Sequence, residues 1–279
     1  MKTEVRIQGA YDRPVMVDFT WLPSERKQPL VLFLHGFKGF KDWGPFNLVA
    51  DQFAKQGFVF AKMNFSFNGV TPAQPTDFAD LEAFGQNNFT KELSDVKTVL
   101  DHAEEHRDTG DIPDFDPEQI YLMAHSKGGA TSIIYASEDP RIKKLVTLAS
   151  ITDIERYANP TTLQDWKKKG VMYIYNGRTG QNMPLYYQLV EDILGNPERF
   201  AVLAKYSQLT IPTLIIHGTA DAAVAVEEAE RLAKAKPTAQ KLIIPQGDHT
   251  FGGSHPYKGA TLPTDLNTVI QTVVDFLQN

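Results

Sequence analysis

Three side chains far apart in the chain could together make an oxygen nucleophile: Ser126, Asp221 and His249. A serine hydroxyl is a poor nucleophile at neutral pH, so it needs a base to take its proton and a fixed group to orient that base. His249 offers the imidazole and Asp221 the carboxylate, and the three occur in the order Ser, Asp, His. Ser126 lies in Ala124-His-Ser-Lys-Gly128, between the apolar run at 119–124 and a following helical pattern. A strand that reverses sharply into a helix strains its central residue, and the turn closes only where the positions two before and two after carry almost no side chain. Gly128 meets that demand fully. Ala124 meets it with one methyl group, where glycine is commoner.

Negative charge that develops on a substrate carbonyl oxygen must be met by fixed donors. Two backbone amides are placed for this: that of Lys127, directly after the serine at a helix start, and that of Phe37, in His35-Gly-Phe-Lys-Gly39. At a helix start the amides lack intrahelical partners and the dipole favours an anion. The remaining histidines have other readings. His35 and His125 belong to tight turns, His217 shapes the turn before Asp221, and His255, beside Pro256, is either a loop residue or part of the pocket rim. Asp248 competes with Asp221 as orienting group, but its place next to His249 makes the approach awkward.

The elements that must position these groups follow from the hydrophobic pattern. Alternation at 4–7 and 15–21 around Tyr11-Asp-Arg-Pro14 predicts an antiparallel edge pair. The runs at 29–34, 58–65, 119–124, 144–149, 211–218 and 241–244 are continuously apolar or nearly so, as in strands covered on both faces. Helical spacing at 46–56, 89–105, 227–235 and 266–277 separates them. The result is an α/β fold with a mainly parallel twisted sheet and helices on both faces, where ligands bind beyond the carboxyl ends of strands. His35, Ser126, Asp221 and His249 all fall at such ends. The polar loop at 70–88 is long enough to expect it near the site.

Between 150 and 209 the pattern changes to segments rich in Trp, Tyr and basic residues, predicting a helical cap inserted after the sixth strand. The core domain would then comprise 1–149 and 210–279. Trp166, Tyr173, Tyr175, Tyr186 and Tyr187 either line a pocket or pack the cap onto the core. Arg178 and Gln181 either bind a polar substrate group or stay on a surface loop. Lys167, Lys168 and Lys169 read as a solvated helix end or as a steering patch for anions.

Composition narrows the function. An apolar fraction of 42% is ample for a core, and 28 basic against 34 acidic residues with no long block of either sign argue against a nucleic-acid surface. The absence of cysteine excludes disulfides and a thiolate nucleophile. Neither metal-ligand spacing nor a phosphate-binding glycine loop appears, so no cofactor is expected. The start, Met1-Lys-Thr-Glu-Val-Arg-Ile7, lacks the apolar core of a secretory signal, and no run approaches the roughly eighteen apolar residues of a membrane span. The expectation is a soluble cytoplasmic protein with a small-molecule partner and no membrane attachment.

Taken together, His35-Gly-Phe37, Ala124-His-Ser-Lys-Gly128, His217-Gly-Thr-Ala-Asp221 and Gly247-Asp-His249 resemble the α/β-hydrolase superfamily over nearly the whole chain. The HGFxG pattern, Phe67-Asn-Gly69 and the inserted cap are most similar to its cinnamoyl/feruloyl esterase and dienelactone-hydrolase-like branches. That resemblance implies a serine hydrolase acting on a carboxylic ester through an acyl-enzyme. The same apparatus serves exopeptidases and amidases, and a movable cover also suits a small-molecule receptor with negligible turnover.

Overall fold

In the computed structural model, which describes residues 1–107, 109–158 and 160–279, the apolar runs become the strands of one eight-stranded sheet. The elements are β1 (Lys2–Gln8), β2 (Pro14–Thr20), β3 (Gln28–Leu34), α1 (Phe46–Lys55), β4 (Val59–Asn64), α2 (Leu81–Gly85), α3 (Phe89–His106), β5 (Phe115–His125), α4 (Lys127–Glu138) and β6 (Ile142–Leu148). After these come α5 (Pro160–Lys169), β7 (Val171–Asn176), β8 (Gln181–Tyr186), α6 (Gln188–Gly195), α7 (Val202–Gln208), β9 (Thr213–Gly218), α8 (Glu227–Ala235), β10 (Gln240–Ile244) and α9 (Thr264–Gln278). The sheet order is β1-β2-β4-β3-β5-β6-β9-β10. The β1–β2 and β2–β4 pairs are antiparallel and every later pair is parallel.

Successive residues of a strand face opposite sides of a sheet, and here both sides are covered. Leu30, Leu32 and Leu34 of β3 and Ile120, Leu122 and Ala124 of β5 join the core under α3 and α4, with Leu93, Val96, Ile133 and Ile134. Val31, Phe33, Tyr121 and Met123 face the other way, against Val49 and Phe53 of α1 and Val269, Ile270 and Val273 of α9. Full burial of such a side chain contributes about 1.5–3 kcal/mol, so a strand buried on both faces cannot slip by one residue without losing both sets of contacts. This pins the carboxyl ends of β3, β5 and β9, which precede or carry His35, Ser126 and Asp221, while β10, the edge strand before His249, is held by its parallel pairing with β9.

Two of the helices, α2 and α3, start at a side-chain cap. The Asn88 side chain accepts from the Lys91 amide at the start of α3 (2.9 Å), and Asp80 accepts from the Ala83 amide at the start of α2 (2.9 Å). The latter helix lies within the stretch expected to be a plain loop. A second departure concerns the insert. The stretch between β6 and β9 is not wholly helical, because β7 and β8 form an antiparallel hairpin in register from Val171–Tyr186 to Asn176–Gln181. No helix among the described residues is long and apolar enough to cross a membrane.

Candidate active site

Ser126 occupies the position before α4 with φ 56° and ψ −120°, in the left-handed half of conformational space. A serine in this place ordinarily accepts from an amide of its own helix, but here the hydroxyl makes no such capping bond. It faces His249 instead, with Nε2 3.1 Å from Oγ. The strained backbone is held by neighbours: the Ser126 amide donates to the Leu148 carbonyl (2.8 Å) and its own carbonyl accepts from Gly129 (2.9 Å). The small-residue requirement is visible at Gly128, where a Cβ would lie 2.6 Å from the His35 carbonyl oxygen. Ala124, fully buried in the core under α4, is accommodated with its methyl.

The other ring nitrogen of His249, Nδ1, lies 2.7 Å from Asp221 Oδ2. The Asp221 carboxylate is shielded from solvent, and its Oδ1 accepts from the amides of Ala223 and Val224, both at 2.8 Å. His217 Nε2–H lies between the Val224 carbonyl (2.8 Å) and Asp221 Oδ2 (3.2 Å). Burial works against the charge on Asp221, but the bonds from His217, His249 and the Val224 amide outweigh it and hold the carboxyl well below the usual carboxylate range. The group stays ionised and points at Nδ1, which fixes the tautomer that leaves Nε2 able to accept from Ser126. Asp248 turns away: its carboxylate accepts from the amides of Thr250 and Gly252 (both 2.9 Å) and closes the loop that carries His249.

The two amides expected to face a developing anion belong to the same neighbourhood. Lys127 is the first residue of α4, so its N–H has no carbonyl one turn back. Phe37 and Ser126 both line a cavity of about 130 Å³ at the ends of β3 and β5, whose aromatic wall includes Trp43 and Phe46. The loop bearing Phe37 is tied down by His35. Burial pushes the His35 ring down to about 4, so it is neutral at pH 7. Its Nδ1–H donates to the Gly36 carbonyl (2.9 Å) while Nε2 faces the Phe65 amide (3.4 Å) and Asn68 Nδ2 (3.3 Å). That arrangement joins Asn68, from the stretch after β4, to the loop that bears Phe37. Gly36 is needed for closeness, since a Cβ there would come within 2.8 Å of the Ser126 Cβ.

The insert residues singled out in the sequence are not among those lining this cavity. Trp166 is buried and donates from Nε1 to the Leu185 carbonyl (2.9 Å), joining α5 to β8. Tyr173 is 60% exposed on the hairpin. The Arg178 guanidinium lies over the rings of Phe40 and Phe78 (5.6 Å each), with Asp77 at 3.9 Å. Gln181 donates to the Phe78 carbonyl (3.0 Å). These contacts bind the insert to the long loop after β4. His255 accepts from the Gly44 amide (2.9 Å) and packs on Phe40 and Trp43. Lys38, Trp43, Phe46 and Thr250 line the cavity and were not singled out; the first three closely follow Phe37, so proximity in sequence was the available signal. No group of three or more His, Asp or Glu side chains among the described residues could hold a metal ion.

Residues 29–181 match the family model described as the alpha/beta hydrolase fold. The chain belongs to that family. Among curated relatives of this alpha/beta hydrolase, the uncharacterized protein YfhR of Salmonella typhi is 28% identical over 200 residues, covering 70% of this chain and 61% of the relative. The chain thus spans about three-fifths of the length of the curated relatives it matches. Many solved structures share the fold, two of them as follows. Est1E from Butyrivibrio proteoclasticus with ferulic acid bound has a TM-score of 0.73 at 19% identity, covering 98% of each chain. The esterase domain of a Rhodothermus marinus protein has a TM-score of 0.65 at 17% identity, covering 99% of this chain and 97% of that one.

Proposed function

We propose that this alpha/beta hydrolase is a serine hydrolase that cleaves small carboxylic esters through an acyl-enzyme. The observation that carries the reading is one imidazole bridging a shielded carboxylate at 2.7 Å and a strained, uncapped serine hydroxyl at 3.1 Å. His249 Nε2 takes the Ser126 proton as Oγ attacks the ester carbonyl, and Asp221 steadies the imidazolium that forms. The negative oxygen meets the Phe37 and Lys127 amides, and removal of one such donor typically costs about 3 kcal/mol of barrier. The imidazolium then protonates the departing alcohol, which leaves an ester of Ser126. Water enters, gives a proton to the same ring and attacks the acyl carbon. Collapse of that second intermediate returns the proton to Oγ and releases the acid.

Labelling with a fluorophosphonate tests this without knowledge of the substrate. Modification is expected at Ser126, together with turnover of 4-nitrophenyl esters that Ser126→Ala abolishes while folding is retained. Labelling elsewhere, or turnover surviving in Ser126→Ala, would overturn the reading. A 4-nitroanilide measured beside the ester separates esterase from amidase chemistry.

A further inference from the structure

The residues that line the cavity before Ser126 include a lysine that the proposed reaction does not use. Lys38 lies in the left-handed region at φ 57° in the loop after β3, half-buried, and is among the residues that line the cavity. Its Nζ stands 5.8 Å from the centroid of the Phe37 ring. Among the described residues it has neither an ion-pair nor a hydrogen-bond partner, and burial alone pushes its pKa down. The other shielded lysines near the site are matched. Lys41 and Lys62 share Asp18 and Asp42, and Lys127 pairs with Glu92.

The cavity supplies no anion of its own. Its titratable lining consists of Lys38 and three histidines; His35 and His125 are held neutral by burial, at about 4 and about 3, and His249 is engaged with Asp221. Partial desolvation of an unpaired ammonium is unfavourable, and a bound anion would remove that cost. Beside it the walls of Phe37, Trp43 and Phe46 are apolar. A group that fits this surface has a short apolar body ending in a negative charge.

We infer that Lys38 selects esters bearing a free carboxylate, pairing with it while Ser126 attacks the ester carbonyl. This inference rests on the serine-hydrolase reading and gives that same site a substrate class. Two arrangements share the chemistry: the carboxylate lies at the far end of the acyl chain, as in a monoester of a dicarboxylic acid, or it lies on the leaving alcohol.

The experiment compares kcat/KM for mono-4-nitrophenyl adipate, 4-nitrophenyl hexanoate, and hexanoyl esters of 4-hydroxybenzoate and its methyl ester. Each neutral probe controls for the chain length or ring of its charged partner. The wild type is expected to prefer at least one charged probe over its neutral control, and the pair that shows it places the carboxylate on the acyl or the alcohol side. Lys38→Met should lower that ratio about tenfold, Lys38→Arg should keep most of it, and 1 M salt should erode it in the wild type. Using the ratio cancels any loss common to both probes, including one through the neighbouring Phe37 amide. Ratios of one or less in the wild type for both pairs, or a preference unchanged in Lys38→Met, would overturn the inference. Failure of the underlying reading looks different, because Ser126→Ala would then still turn over the neutral esters.

Discussion

His125 donates from Nε2 to the backbone carbonyl of His249 at 2.8 Å, so the residue before the elbow serine holds the main chain of the residue whose ring faces that serine. Burial and the adjacent His249 ring push His125 down to about 3, so its ring is neutral, and with a carbonyl as partner the proton is on Nε2. His125→Phe removes the donor while keeping a ring of similar size. It is expected to lower kcat about tenfold to a hundredfold with little change in KM, since small misplacements of a catalytic group cost that much. His125→Gln retains an N–H near the Nε2 position and should recover most of the loss, with an unchanged acid limb in the pH–rate profile because His125 does not titrate there. Equal losses in the two variants would leave the hydrogen bond without a role in positioning.

Asp221 accepts four N–H donors, two on each oxygen. In Asp221→Asn one oxygen becomes a donor and confronts another N–H, which favours the His249 tautomer unable to accept from Ser126. The expected result is a fall in kcat of about 10³–10⁴ with near-native secondary structure by circular dichroism. A loss below tenfold would remove Asp221 from the orienting role.

The convergence of Ser126, Asp221 and His249 was legible because these residues follow strands whose apolar runs stand out, and because strand order fixes which ends converge. Gly128 could be read because close backbone approach demands a small residue, and that demand is local; the equal demand at Gly36 shows only in the fold, where a Cβ would meet Ser126. The hairpin of β7 and β8 was missed although Met172 and Ile174 alternate with the more exposed Tyr173 and Tyr175 and glycines flank its turn. An isolated two-stranded hairpin carries only a few residues of alternation, and the basic run just before it reads as helix. What no local pattern could show is which polar groups meet across the fold. Lys62, Asp18 and Lys41 are spread over β2, β4 and the loop after β3, yet form one shielded charge network. Lys127, read only for its amide, sends its ammonium inward to Glu92 of α3.

That inward pair makes a stability prediction. Both side chains are about 5% exposed or less, Glu92 also accepts from Thr131 Oγ1 (2.9 Å) and Asn87 Nδ2 (2.8 Å), and Lys127 Nζ lies 4.2 Å from the Phe89 ring centroid. Removing one partner strands the other charge in a dry place. Glu92→Leu is therefore expected to destabilise the fold by about 3–5 kcal/mol in urea unfolding at pH 7. Glu92→Leu combined with Lys127→Met removes both charges and should recover much of that loss. A double variant as unstable as the sum of the two singles would show that the pair is not what couples them.

Asp95, on α3 beneath the start of the loop after β4, should give stability a pH dependence opposite in sign to that of Asp221. It is buried and accepts from the Ser66 amide (2.7 Å) and hydroxyl (2.9 Å). Burial pushes its carboxyl up to about 7; the Ser66 bonds and Lys91 oppose the rise, and Glu92 adds to it. An unfolded aspartate titrates near about 4, so between roughly pH 4 and pH 7 the folded chain holds a proton that the unfolded chain has lost. Folding stability from this group therefore falls as pH rises through that window and levels off above it. Asp221, with a depressed pKa, contributes stability that is present above the unfolded value and lost on the acid side. Asp95→Asn keeps an acceptor for the Ser66 amide and a donor for its hydroxyl but cannot ionise. Thermal midpoints at pH 5, 6, 7 and 8 should decline less for Asp95→Asn than for the wild type, and parallel curves would show that Asp95 does not titrate in this range.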